Sequence, residues 1–135
     1  MRDGLSGVKE FLAVAVGGAV GAVSRYSVYL LAAHYLGQNF PYGTLIVNIL
    51  GSLIMGMFIE MMALVWNVGT EVRLFFVVGI LGAFTTFSTF SLDVAVLYER
   101  GELWLVALYM LASVVLSIGA LFLGFHVVRT LVVTA

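Results

Sequence analysis

Polarity along the chain falls into four long apolar runs, residues 11–31, 44–66, 72–97 and 103–128, separated by short polar breaks. Each run meets the roughly 20 residues a helix needs to cross about 30 Å of hydrocarbon. None alternates with a period of two, and lipid offers no partner to an open strand edge, so the runs predict helices. The breaks read "AHYLGQNFPYG", "NVGTE" and "ERGE". The first holds His34 and the one proline, Pro41, flanked by glycines and aromatics in the manner of a turn. The pattern predicts an all-α membrane protein, a single four-helix transmembrane domain over residues 1–135 with almost nothing outside the bilayer.

Polar side chains inside the runs are not scattered. Thr44, Asn48 and Ser52 recur four apart in the second run and share one helical face. Tyr109, Ser113 and Ser117 do the same in the fourth. The third contains "GAFTTFSTFSLD", where Thr85, Thr86, Ser88, Thr89 and Ser91 are interleaved with Phe84, Phe87 and Phe90. Hydroxyls in membrane helices ordinarily bond across helix contacts, at about 0.6 kcal/mol each. For one serine that is the default reading; for Asn48, whose amide needs a partner when buried, glue and pathway stand level. Three donor stripes with no carboxylate among them suit an anion, since a cation path asks for carboxylates or carbonyls.

Gly17 and Gly21 form a small-residue seam in the first run. Gly79 and Gly82 stand mid-run in the third, where helix propensity is poorest, and predict a break. A break at membrane depth survives only inside protein or beside a cavity, and its unwound carbonyls are of the type that binds cations in transporters. Glu60 and Asp93 lie toward run ends, where they can snorkel or pair. Arg25 lies deeper; it either anchors an interface or sets a positive potential at a vestibule.

Composition agrees: 63% of the 135 residues are hydrophobic and 10% charged, too few for a water-soluble domain of this size. Tyr35, Phe40, Tyr42, Trp66, Tyr98 and Trp104 cluster near run ends as an interfacial belt. The net charge of −1 argues against nucleic acid as a partner. The absence of cysteine removes disulfides and thiolate sites. The N-terminus mimics a signal peptide, but the apolar character continues past Arg25 to Leu31, beyond a typical leader core. Neither His34 nor His126 has an acid at ligand spacing, and no HExxH, phosphate loop or serine elbow occurs, so an enzyme is not expected. Arg2, Lys9, Arg73 and Arg129 fall on the side of the termini and Arg100 on the other, a modest lean toward termini inside.

Taken together, "GTLIVN" (Gly43 to Asn48), "GILGAFTTFSTFS" (Gly79 to Ser91) and the Tyr109/Ser113/Ser117 stripe resemble the bacterial Fluc family of fluoride channels, in order and through all four runs. The resemblance implies an antiparallel, dual-topology homodimer in the bacterial inner membrane, with a broken third helix and two pores that let cytoplasmic fluoride leave passively. By position, Phe87 and Phe90 would be the pore rings and Asn48 an amide donor beside them. Ser88, Thr89, Thr44, Tyr109, Ser113 and Ser117 would supply hydroxyls, and Arg25 would match a basic residue at the vestibule. Gly82 and Thr85 would offer main-chain carbonyls to a structural sodium ion shared by both subunits, with no organic cofactor. The family's hydroxyl track can run one turn further, where this chain has Ala120 and Leu121.

Phenyl edges alone could not replace fluoride's water: a bare ion in a low-dielectric medium loses tens of kcal/mol by the idealised Born estimate, while each ring returns about 0.5–2 kcal/mol. Hydroxyl and amide donors must carry most of it. The rival reading, a small dual-topology proton-coupled multidrug exporter, needs a carboxylate deep in the first run, where only Glu10, at its start, is available.

Overall fold

The computed structural model describes residues 2–134, with side chains described from residue 5 onward; the side chain of Arg2, counted above for orientation, lies outside the described residues. Every regular element described is helical. α1 (Arg2–Leu36) runs past its expected end, so His34 lies in a helical last turn and not in a loop. Alanines and leucines carry the helix on through this stretch. It stops at Gly37, whose φ of 83° is left-handed backbone that glycine adopts without strain. α2 (Tyr42–Leu64) begins directly after Pro41, which lacks the N–H that a first turn leaves unpaired anyway.

The third run is three helical pieces, a π-helical stretch and a break. α3 (Thr70–Arg73) passes into a π-helical stretch (Leu74–Leu81) and then α4 (Gly82–Phe84). Thr85 and Thr86 are extended, with ψ of 159° and 125°. α5 (Phe87–Glu99) resumes the helix, and α6 (Leu103–Thr134) follows a turn at Gly101, φ 77°. The third helix is therefore broken, but at the threonines and not at the glycines. β-branched residues tolerate extended backbone well, and Gly79 is used for packing instead.

Close packing sets the frame. α1 lies along the π-helical stretch, and a methyl group on Gly17 or Gly21 would overlap the carbonyl oxygens of Phe75 or Ile80. The expected small-residue seam thus joins the first and third spans within one chain. A second seam joins α2 to α6, where Gly56 faces the Leu121 carbonyl and Gly124 the Leu53 carbonyl. Arg129 Nε donates to Glu60 Oε1 at 2.6 Å across the same pair, so Glu60 is paired as anticipated. Among the described residues, four stretches are long and apolar enough to cross a membrane, Leu5–Leu36, Tyr42–Leu64, Thr70–Glu99 and Leu103–Thr134. Their outward faces expose large apolar side chains such as Phe11, Leu111 and Phe122, as lipid contact requires.

Candidate functional site

The break is held by one side chain. Asn48, on α2, accepts from the Thr86 N–H through Oδ1 at 2.8 Å and donates from Nδ2 to the Thr86 carbonyl at 2.9 Å. The first bond replaces the helical acceptor that the Thr86 N–H gives up by being extended, and the second shares the carbonyl with which Thr86 opens α5. One N–H of the Asn48 amide is left over, since the group carries two donors. Thr86 then caps α5: its hydroxyl oxygen accepts the Thr89 N–H at 3.2 Å, and the Ser88 and Thr89 hydroxyls lie at 3.3 and 3.2 Å from it. No protein acceptor meets the Phe87 or Ser88 N–H among the described residues. Free first-turn amides make a helix start favourable to anions.

Beside this cap lies a cavity of about 310 Å³ lined by Asn48, Ser52, Thr85, Thr86, Phe87, Phe90, Ser113, Val114, Ser117 and Ile118. It gathers the rings, the amide and two of the α6 hydroxyls that were read from the sequence. No carboxylate lines it. Among the described residues the Ser113 and Ser117 hydroxyls are buried without a well-aligned hydrogen bond, although Ser113 stands beside the Tyr109 side chain. Such groups are rare and destabilising unless something meets them. The cavity is one-sided, for Phe87 is 77% exposed and tilts against Phe90 at 5.5 Å between ring centres.

The Thr44 and Thr89 hydroxyls lie on the other side of Tyr109. That residue is fully buried between Phe90 and Phe40, at 5.3 and 5.5 Å between ring centres, and its hydroxyl donates to Asp93 Oδ2 at 2.9 Å. Asp93 is thus paired, as its place in the run allowed. Thr44, Thr89 and Asp93 line a second cavity of about 230 Å³, together with Tyr29 and Gln38. The candidate residues therefore form two chambers with Tyr109 between them, and Ser88 lines neither.

Arg25 reaches the break itself. Its Nη1 donates to the Thr85 carbonyl at 3.4 Å, and no acidic side chain pairs with it among the described residues. The Gly82 carbonyl has lost its helical donor, because the Thr86 N–H that would meet it goes to Asn48. Gly82 is exposed. Two hard carbonyl oxygens near the surface fit a small alkali cation, though only as part of its oxygen shell. The residues expected at a sodium site are therefore of a suitable type.

Thr86 was visible only as one hydroxyl among five; threonine is a common helix cap, but nothing beyond that set it apart from its neighbours. The Tyr109–Asp93 bond spans two helices and carried no sequence signal beyond polarity.

With this geometry in view, comparison with known proteins is informative. The family described as CrcB-like protein, Camphor Resistance (CrcB), matches residues 12–125. The chain is 53% identical over 120 residues to "Fluoride-specific ion channel FluC 1" of Nitrobacter hamburgensis, covering 89% of this chain and 95% of that one. It is 52% identical over 120 residues to "Fluoride-specific ion channel FluC" of Nitrobacter winogradskyi, with the same coverage. A protein of the same name from Rhodospirillum centenum is 49% identical over 125 residues, covering 93% and 99%.

Proposed function

The chain belongs to the CrcB-like protein family, and we propose that it is a fluoride-selective channel, a multi-pass bacterial membrane protein through which fluoride leaves the cell passively. The observation that carries this reading is the pair of buried serine hydroxyls, without a well-aligned hydrogen bond among the described residues, that face a carboxylate-free cavity rimmed by Phe87 and Phe90.

Fluoride is small and strongly hydrated, so its path must supply donors in place of water. Ser113 and Ser117 offer hydroxyl protons, and Asn48 offers the amide proton left over from its pairing with Thr86. The free Phe87 and Ser88 amides add a positive helix end. Hydrogen bonds to a charged group are worth about 1.5–3 kcal/mol each. Phe87 and Phe90 narrow the route and present ring edges, which attract an anion weakly. Tyr109 carries the route toward Thr44 and Thr89.

The working unit is an antiparallel homodimer with two pores, inserted in both orientations. The 77% exposure of Phe87 and the one-sided cavity support this, since a ring that rims a pore needs a second wall. The same contact would bring a second Gly82 and Thr85 near the first pair. A structural sodium ion held there by the carbonyls would close the unpaired ends of α4 and leave the hydroxyls to the anion.

The test is flux from liposomes loaded with fluoride or chloride. Fast fluoride release, no chloride release and indifference to a proton gradient are expected. Strict dependence on a proton gradient would instead support the exporter reading, and equal chloride release would overturn fluoride selectivity.

A further inference from the structure

Arg25 places a guanidinium at membrane depth, where its one hydrogen bond among the described residues goes to the carbonyl oxygen of Thr85. That oxygen is also one of the two assigned above to sodium. The coincidence follows from packing. α1 is drawn against the third span by the glycine seam at Gly17 and Gly21, and Arg25 stands one further turn along α1. Its guanidinium therefore arrives where the third helix opens and a carbonyl has no helical donor.

We propose that the Arg25 guanidinium and the sodium ion are competing occupants of the Thr85 carbonyl, so that Arg25 sets how tightly the break holds a metal cation. The inference rests on the sodium reading above and adds a residue that tunes it. At an effective dielectric of about 20, two unit charges about 6 Å apart repel enough to weaken binding by about a hundredfold. A metal ion binds fully only when the arginine head swings off the oxygen. Thr85 also lines the anion cavity, so one positive charge or the other always stands at that wall. Arg25 is in this sense a positioning residue for the cation and for the field at the cavity.

The experiment is equilibrium binding of radioactive sodium to the purified full-length protein in detergent, comparing wild type with Arg25→Gln and Arg25→Lys. The expected result is sodium affinity about a hundredfold higher in Arg25→Gln, with Arg25→Lys near wild type because the charge is retained. Equal affinities in wild type and Arg25→Gln overturn the competition and leave the sodium reading standing. Saturable binding in neither overturns the sodium reading and this inference with it. A second measurement needs no variant to fold. The Arg25 side-chain nitrogen resonances of the wild type should shift during a sodium titration with the midpoint of radioactive sodium binding. Resonances that stay fixed while sodium binds overturn the proposal.

Discussion

Replacing Ser113 and Ser117 by alanine separates a pathway from simple helix glue. If the two hydroxyls tied helices together, each substitution would lower stability by about 0.6 kcal/mol on average. Among the described residues neither hydroxyl makes a well-aligned hydrogen bond, and Ser113 is only 6% exposed. A buried, unsatisfied polar group costs about 1–3 kcal/mol, so Ser113→Ala and Ser117→Ala should leave the protein as stable as before or more so. Flux should move the other way. Each hydroxyl lost withdraws a hydrogen bond to fluoride of about 1.5–3 kcal/mol, which is a roughly 10- to 100-fold slower passage. The double variant should lose less than the product of the two if both hydroxyls meet the same ion. Thermal unfolding in detergent and fluoride efflux from liposomes read the two quantities on one preparation. Variants that are less stable yet conduct normally would show that the serines are structural and that the anion path lies elsewhere.

Asn48→Asp keeps the acceptor for the Thr86 N–H but sets an oxygen against the Thr86 carbonyl and a negative charge at the cavity. At about 4 Å and an effective dielectric of about 20 that charge repels fluoride by about 4 kcal/mol, so efflux should fall at least a hundredfold; flux within threefold of wild type would contradict the assignment. Phe87→Ile removes an exposed ring that touches little within the protomer beyond Phe90. Unfolding temperature should stay unchanged while flux falls at least tenfold, and normal conduction would remove Phe87 from the pore. Gly21→Ala pushes a methyl into the Ile80 carbonyl, whereas Gly18→Ala meets nothing within 4 Å. Overpacking of that kind typically costs about 1–3 kcal/mol, so thermal unfolding should show Gly21→Ala clearly destabilised and Gly18→Ala neutral or slightly stabilised; similar behaviour of the pair would refute the seam.

Much of this protein could be read from one dimension because lipid makes the code simple. A run of about 20 apolar residues must be a helix, and the four runs stand within a few residues of where their composition placed them. Small errors occurred at the ends, as at His34, since a helix continues beyond the apolar run wherever no glycine or proline stops it. The donor stripes were legible because four-residue spacing returns a side chain to the same face. The broken helix was expected, but its position was two residues or more in error, because glycine marks both weak helix and close packing and only neighbours tell which.

What the local pattern by itself determined was the class, the four spans and the identity of the polar groups placed inside them. What only the tertiary structure decided was which of those groups are already partnered. Asn48 is bound to Thr86 across 38 residues, Tyr109 to Asp93 across 16 and Glu60 to Arg129 across 69, whereas Ser113 and Ser117 make no well-aligned hydrogen bond among the described residues. The physical reason is that a span's helix and lipid-facing character follow from its own residues and the solvent around it. A hydrogen bond needs two groups within about 3 Å, and helices distant in sequence meet at that range only after they have packed.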